Sequence, residues 1–241
     1  MNYGAILASG KGTRVKSKTL LPKQFMNINE IPTVIYTIKN MLKVKRFDKI
    51  YIAVPNEYLE YSKELINKYF EKKEIKILKI IEGGKERMDS IDNVVKEITK
   101  ENEVNEDDVI VIHDGVRPFV TEKILNDSID EARRYGAVVA AVPVSDTLLI
   151  SEEGKVVDEI PKRSLYYKGQ APDSFKLKLF IELLNNLTEE QRKIITGTSQ
   201  ICTLNNYPIH MIEGDDVNFK ITTKSDFIIA ENIIKGSENN D

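Results

Sequence analysis

Short apolar runs alternate along the first 143 residues with stretches in which apolar residues recur every three or four positions. The short runs predict strands and cover residues 3–8, 50–54, 75–81, 109–112 and 137–142. The periodic stretches predict amphipathic helices and cover residues 34–42, 58–69, 91–98 and 124–132. Alternating strands and helices are typical of a mostly parallel sheet with helices on both faces, so we predict an α/β fold.

The pattern changes after residue 143. Two strand-like stretches, residues 147–150 and 156–160, flank a polar turn and predict a hairpin. A hairpin has little core of its own, so we expect residues 144–173 to form a projecting β-arm covered by another surface, a partner subunit being one candidate. A helix, two strands and a final helix are predicted to follow, over residues 175–187, 208–212, 217–221 and 224–234. We treat residues 1–241 as a single domain.

Composition narrows the class of protein. With 241 residues, 41% of them hydrophobic, the chain can bury a core that needs no disulfide or metal to hold it. Cys202 is the single cysteine, no apolar run approaches the ~20 residues of a membrane span, and the first residues do not resemble a signal peptide. These features predict a cytoplasmic protein without a membrane partner. The net charge of −3 does not favour nucleic acid, so an anionic ligand needs a local cluster of cations.

The loop after the first predicted strand is rich in glycine. Gly10 and Gly12 would let backbone N–H groups approach an anion, while Arg14 and Lys23 would add positive charge. The dinucleotide-binding pattern is absent because Val15 stands where its third glycine would be, and the loop does not end as a P-loop does. We interpret it as a phosphate or nucleotide cradle, the alternative being an ordinary glycine turn with surface cations.

A second cluster follows the strand at residues 109–112. Ligands of open α/β sheets bind beyond the carboxyl ends of the strands, so Asp114 and Arg117 should lie near the glycine loop. Asp114 is a candidate Mg²⁺ ligand, and Arg117 would bind a phosphate or pair with Asp114. The alternative is a structural ion pair. We expect His113 to be a buried histidine rather than a proton carrier.

Two further segments have an open interpretation. Gly84 precedes a predicted helix, where its backbone could contact a flat base, and Ser90 would either contact a ligand or cap the helix. Lys220 belongs to a late segment and is equally well interpreted as a solvated lysine or as part of the site.

Together these segments resemble a known family. The chain contains six short patterns in order: A-x-G-x-G-T-R, L-P-K-Q-F, G-G-x-x-R-x-x-S, H-D-x-x-R-P-F, Q-x-P and N-x-K-I-T. This order resembles the cytidylyltransferases that make CDP-polyols, with a methylerythritol phosphate branch in isoprenoid synthesis and a ribitol-5-phosphate branch in teichoic acid and capsule synthesis. Residues 113–119 and 165–170 look closer to the ribitol-phosphate branch.

The resemblance implies a Rossmann-like nucleotidyltransferase fold and the transfer of CMP from CTP to a polyol phosphate. D-ribitol 5-phosphate is then the expected acceptor and 2-C-methyl-D-erythritol 4-phosphate the alternative. It also implies Mg²⁺ as cofactor and a homodimer in which each arm reaches the neighbouring site. Two other interpretations stay open, a sugar-1-phosphate nucleotidyltransferase that uses UTP or dTTP and a catalytically silent nucleotide-binding module.

Residue roles follow from the same resemblance. Arg14, Lys23 and Lys220 are the implied catalytic cations around the phosphates of CTP. Asp114 would hold Mg²⁺ or position the incoming phosphate. The implied nucleotide-binding residues are Ala8, Gly10, Gly12, Gly84, Lys85, Ser90 and Asp114. The implied acceptor-binding residues are Arg117, Thr147 and Arg163, the last two on the arm.

The chain departs from the family pattern on the acceptor side. The family usually reads Gln-Thr-Pro-Gln where this chain has Ala171 and Asp173 in the second and fourth positions. It usually has Thr-Asp where this chain has Thr196 and Gly197. These changes remove a hydroxyl and a carboxylate and replace an amide by an acid, so they bear on the acceptor more than on CTP.

Overall fold

The computed structural model describes residues 1–10 and 21–238, so the predicted roles of Gly12 and Arg14 lie outside the described residues. The strands are β1 (Asn2–Leu7), β2 (Asn27–Ile28), β3 (Ile31–Pro32), β4 (Lys49–Val54), β5 (Leu78–Glu82), β6 (Val109–Asp114), β7 (Ala137–Pro143), β8 (Tyr167–Lys176) and β9 (His210–Glu213). The helices are α1 (Thr33–Lys43), α2 (Leu59–Tyr69), α3 (Lys72–Ile75), α4 (Arg87–Glu101), α5 (Glu122–Tyr135), α6 (Leu177–Asn185), α7 (Glu189–Ile194), α8 (Gln200–Leu204) and α9 (Lys224–Glu238).

Seven of the described strands form one sheet in the order β5-β4-β1-β6-β8-β7-β9. The pairs β5–β4, β4–β1, β1–β6 and β7–β9 are parallel, whereas β8 is antiparallel to both β6 and β7. β2 and β3 form a separate antiparallel ribbon. The predicted mostly parallel sheet is confirmed.

Alternating side chains on the central strands place a core on each face of the sheet. In β1, Tyr3 and Ala5 belong to one buried cluster and Ile6 to the other. The cluster containing Ile6 is completed by α1, α2 and α5, and the opposite cluster by α4, α6 and α8. The strands are therefore apolar on both sides, as expected of a sheet covered by helices on both faces.

A smaller core covers the β2–β3 ribbon. Phe227, Ala230 and Ile234 of α9 pack with Ile28 and Ile221. The predicted final helix is confirmed and extends to Glu238. Its first turn is held by the backbone N–H of Asp226, which donates to the Thr223 hydroxyl.

Three predicted elements differ in the structure. The helix predicted over residues 175–187 begins only at Leu177, because residues 167–176 form β8, whose polar positions hide the strand pattern. The strand predicted over 75–81 begins at Leu78, after the short helix α3. The segment predicted as a strand over 217–221 does not pair with the sheet, and its backbone is instead held by contacts to the loop after β6.

The predicted arm differs in extent. Its last residues, from Tyr167 onward, belong to β8, so the segment outside the sheet is 144–166. The predicted hairpin is reduced to one bridge between Ile150 and Glu159. Several apolar side chains of the segment are exposed, among them Leu149 at 58%, Val156 at 70% and Ile160 at 63%.

No helix in the described part of the chain is long and apolar enough to cross a membrane.

The central strand β6 should dominate stability. Ile110 is fully buried in β6, so Ile110→Ala leaves a cavity and should lower the free energy of unfolding by about 2–5 kcal/mol. Ile228, on α9, is 61% exposed, so Ile228→Ala makes the same deletion on the surface and should cost under ~0.5 kcal/mol. Chemical denaturation measures both, and equal losses would contradict this placement of the core.

Candidate active site

A cleft of about 540 Å³ opens at the carboxyl ends of β1 and β6. This is where the strand order reverses, since β4 and β5 extend the sheet on one side of β1 and β6 extends it on the other. Six of the residues predicted from the sequence line this first cavity: Ala8, Gly10, Lys23, Lys85, Asp114 and Lys220. The structure therefore brings together segments that are far apart in the chain.

Gln24 fixes the glycine loop against the next turn. Its side-chain amide donates to the backbone carbonyls of Ala8 at 2.6 Å and Gly10 at 3.2 Å, and the residue is 3% exposed. Lys23 beside it donates to the carbonyl of Thr222 at 3.1 Å. The sequence predicts a role for Lys23 from its charge and none for Gln24. The signal for Gln24 is its place beside Lys23 in the L-P-K-Q-F pattern.

Ser90 lies beneath the loop that precedes α4. It is fully buried, its hydroxyl lies 2.7 Å from the Ser9 hydroxyl, and it accepts a hydrogen bond from the Gly84 backbone N–H at 3.0 Å. Neither Gly84 nor Ser90 lines the first cavity. Both stabilise the loop before α4 from its inner side and do not form the cavity surface. The helix cap is Glu86, which corrects the capping alternative for Ser90.

Gly84 cannot be replaced without a shift of this loop. A Cβ at that position would lie 1.9 Å from the Cβ of Asp89, which is far inside any real contact distance. The glycine is therefore required for close packing of the loop on the first turn of α4.

Asp114 is the electrostatic centre of the site. Its Oδ1 accepts a hydrogen bond from Arg87 at 2.8 Å, while its Oδ2 lies 3.2 Å from Arg117 Nε and 3.1 Å from Lys220 Nζ. Burial alone would raise the pKa of this carboxyl, but Arg87, Lys220 and Arg117 together hold it well below its ordinary value. Asp114 is thus an ionised acceptor, and Lys220 belongs to the cleft rather than to open solvent.

Arg117 ties two loops together. Besides Asp114, it donates to the backbone carbonyl of Asn218 at 2.7 Å, and the backbone N–H of Ile221 donates to the carbonyl of Val116 at 2.9 Å. The side-chain amide of Asn218 in turn donates to the carbonyl of Ala171 at 2.8 Å. These contacts hold residues 218–221, and with them Lys220, at the ends of β6 and β8.

The residues present do not form a ready Mg²⁺ site. Both oxygens of Asp114 are occupied by cations, and no group of three or more His, Cys, Asp or Glu side chains is placed to hold a metal ion in the described ranges 1–10 and 21–238. A hard cation prefers several oxygen ligands, and the three positive side chains around Asp114 would repel it. The predicted role of Asp114 as a metal ligand is therefore not supported by its surroundings.

A second cavity, of about 300 Å³, adjoins the first on the far side of Asp114. The three residues that depart from the family pattern, Ala171, Asp173 and Gly197, all line it. Asp173 is 5% exposed, and burial raises the pKa of its carboxyl to about 6. The departures therefore cluster on one side of the site, as predicted.

The two predicted acceptor-binding residues of the arm lie outside both cavities of their own chain. Thr147 and Arg163 are exposed and line neither cavity, and Arg163 donates to the backbone carbonyl of Ser145 at 2.6 Å. A single chain therefore does not bring them to Asp114.

Known proteins similar to this chain include one family and several solved structures. A family model for 2-C-methyl-D-erythritol 4-phosphate cytidylyltransferase, IspD, matches residues 4–236. A solved structure of 4-diphosphocytidyl-2C-methyl-D-erythritol synthase from Anaerococcus prevotii is similar over 97% of this chain and 96% of that one, with 23% identity and a TM-score of 0.78. The 2-C-methyl-D-erythritol 4-phosphate cytidylyltransferase of Thermus thermophilus is similar over 98% and 100%, with 22% identity and a TM-score of 0.73. At these identities the solved structures establish the fold.

His113 should make stability depend on pH. It is fully buried, and burial lowers the pKa of its imidazole from 6.5 to about 4, while the ring Nε2 lies 3.1 Å from the Arg117 carbonyl and donates to it in the neutral form. Because the unfolded chain takes up this proton first, the stabilisation is complete above pH 6.5 and is lost as pH falls toward 4.

His113→Gln removes that loss. Between pH 7 and pH 4.5 the variant should lose about 2–3 kcal/mol less unfolding free energy than the wild type. Denaturant titrations at the two pH values measure it, with a substitution at the exposed His210 as control. An equal loss in wild type and His113→Gln would contradict the neutral buried imidazole.

Proposed function

We propose that this chain, which belongs to the 2-C-methyl-D-erythritol 4-phosphate cytidylyltransferase family, transfers CMP from CTP to 2-C-methyl-D-erythritol 4-phosphate. Membership makes it a cytidylyltransferase, so the predicted enzyme class is confirmed. The observation that supports the proposal best is the meeting of two cavities at Asp114, where three cations converge. A reaction between two anions needs such a cluster.

The acceptor is the part of the prediction that changes. Residues 113–119 and 165–170 favoured the ribitol-phosphate branch, with teichoic acid or capsule synthesis as its setting. The family match over residues 4–236 instead supports the alternative, methylerythritol phosphate and isoprenoid synthesis. The departures at Ala171, Asp173 and Gly197 line the second cavity, which makes the acceptor the property to measure.

The proposed reaction is an in-line displacement at the α-phosphorus of CTP. An oxygen of the acceptor phosphate attacks, a new P–O bond forms, and the bond to the β-phosphate breaks to release pyrophosphate. A phosphate monoester is mostly ionised near pH 7, so no strong general base is needed. Asp114, held ionised by its cations, is a weak base that is unsuited to accepting a proton, and it acts by orienting Arg117 and Lys220.

Each cavity has a proposed occupant. The first cavity, with Ala8 and Gly10 after β1 and Lys85 before α4 at its wall, would hold CTP. Lys23 and Lys220 would face its phosphates, with Arg14 as a further predicted cation, and so stabilise charge on the transferring group. The second cavity would hold the acceptor. Mg²⁺ stays a prediction as the cofactor.

Substrate choice tests the proposal directly. Pyrophosphate release should be fastest with CTP and 2-C-methyl-D-erythritol 4-phosphate, in a panel that includes ribitol 5-phosphate, sugar 1-phosphates, UTP and dTTP. UTP should be at least about 100-fold poorer, because a pocket built for one donor and acceptor pattern leaves polar groups unpaired with another. Preference for ribitol 5-phosphate would restore the other branch, preference for UTP would indicate a sugar nucleotidyltransferase, and CTP binding without turnover would indicate a silent module.

The arm supports a second proposal, that two chains exchange residues 144–166 and complete each other's site. Leu149, Val156 and Ile160 expose apolar surface that a partner would bury, and Arg163 lies outside both cavities of its own chain. Arg163 and Thr147 would then reach the acceptor phosphate in the neighbouring site.

Mixing two inactive variants tests the exchange. In dimers of an Arg163→Ala chain with a Lys23→Ala chain, one of the two sites keeps both residues, so a 1:1 mixture should regain about a quarter of wild-type activity. The matched control mixes Lys23→Ala with Lys220→Ala, whose residues belong to the same site and should restore nothing. A monomer in sedimentation, or no recovery after verified subunit exchange, would contradict the shared site.

A further inference from the structure

The wall between the two cavities consists of few side chains. Arg87, Asp114 and Lys220 line both of them. If CTP occupies the first cavity and the acceptor the second, the phosphorus being transferred must lie at this wall, where attacking and leaving oxygens are in line. Asp114 and Lys220 were predicted from the sequence, whereas Arg87 is assigned no role by the motifs.

The guanidinium of Arg87 is held by three hydrogen bonds to two residues. Nη1 donates to Asp114 Oδ1 at 2.8 Å, and Nε and Nη2 donate to the Thr198 hydroxyl at 3.3 Å and 3.1 Å. A guanidinium has five N–H donors, so these contacts leave one on each Nη. The side chain is 22% exposed, so the group is anchored but not sealed off from the cavities.

Thr198 is buried together with an acid. Its oxygen accepts from Arg87, which leaves its own O–H to donate, and its hydroxyl acts to lower the pKa of the buried Asp173 carboxyl. Asp173 stands where the family usually has glutamine, and a carboxylate is the stronger acceptor. Arg87 therefore lies between Asp114 on one side and the Thr198–Asp173 pair on the other.

We propose that Arg87 is a further catalytic residue, whose remaining N–H groups bind an oxygen of the phosphate being transferred, and that Thr198 and Asp173 position it. The inference rests on the proposed cytidylyl transfer. An anchored guanidinium costs no reorganisation when charge develops on the phosphate, and its planar fork suits two oxygens at once.

A purely structural role would be to neutralise Asp114. That carboxylate keeps Arg117 and Lys220 without Arg87, so neutralisation does not require a third cation. Nor would it require the contacts from Nε and Nη2 to the Thr198 hydroxyl, which fix the plane of the guanidinium in addition to its pair with Asp114.

The test compares two ion-paired arginines, one at the cavity wall and one away from both cavities. Arg87 and Arg192 have side chains of equal exposure, 22%, and each makes an ion pair of 2.8 Å, but Arg192 lines neither cavity. Arg87→Lys keeps the charge and loses the fork, so kcat should fall at least ~100-fold while both KM values change less than about threefold. Arg192→Lys should keep kcat within about twofold.

Thr198 gives the second measurement. Thr198→Val keeps the shape and removes the hydroxyl, so kcat should fall about tenfold, and Thr198→Ser, which keeps the hydroxyl, should be close to wild type. These variants retain the Arg87–Asp114 pair and so decide the question if Arg87→Lys does not fold, as judged by its melting transition.

The outcomes separate this inference from the proposed function. All variants are assayed with whichever acceptor the wild type turns over, so a wild type inactive with every acceptor would overturn the transfer reaction itself. An active wild type with an undiminished kcat in Arg87→Lys, or with a raised KM alone, would overturn the role of Arg87. Equal activity of Thr198→Val and Thr198→Ser would overturn the positioning by Thr198 and Asp173.

Discussion

The ion cluster around Asp114 is the interaction on which the site depends. A carboxylate that is 6% exposed would ordinarily pay heavily for burial, and here Arg87, Arg117 and Lys220 offset that cost. These cations come from α4, from the loop after β6 and from the segment before α9, so one charge holds together three parts of the chain. The same geometry leaves positive charge facing two cavities, which is what a reaction between phosphates requires.

The antiparallel strand β8 makes the second cavity possible. Inserted between β6 and β7, it places Asp173 opposite Ile112 and close to the end of β6 where Asp114 lies. It also presents Gln170, whose amide donates to the carbonyl of Asp215 at 2.8 Å and so anchors the segment that contains Lys220. The residues of β8 therefore form part of the lining of the second cavity beside Asp114.

The sequence predicts the parallel half of this design because β1, β4 and β6 contain continuous apolar runs. It predicts the first cavity because glycine and charged residues stand at or after the ends of β1 and β6. It does not predict β8, since Gln170, Asp173 and Ser174 interrupt any apolar pattern although all three are buried. Such a strand is recognised only by what surrounds it in space.

Lys220 and Arg87 illustrate the same limit for the site. The sequence allows Lys220 to be either a solvated lysine or part of the site. Its place in the site is set by the contact between Arg117 and Asn218, which are 101 residues apart. Arg87 belongs to the pattern G-G-x-x-R-x-x-S, in which the sequence suggested a role for the glycines and the serine only. Its hydrogen-bond partner Thr198 is 111 residues away in the chain. Roles that depend on such distant pairs are properties of the fold, not of local spacing.

The two cavities are built by different means, and this bears on how the site can vary. The segments that line the first are fixed from behind. Gly84, where a Cβ would collide with Asp89, packs the loop before α4 onto that helix, and the amide of Gln24 reaches the carbonyls of Ala8 and Gly10. The second is lined by side chains of β8 and of residues 196–200, which lie beside Asp114 without shaping the glycine loop. Changes at Ala171, Asp173 and Gly197 can therefore alter the second cavity while the first keeps its form. Because Arg87 faces both, the Thr198–Asp173 pair is the point at which such a change reaches the transferring phosphate.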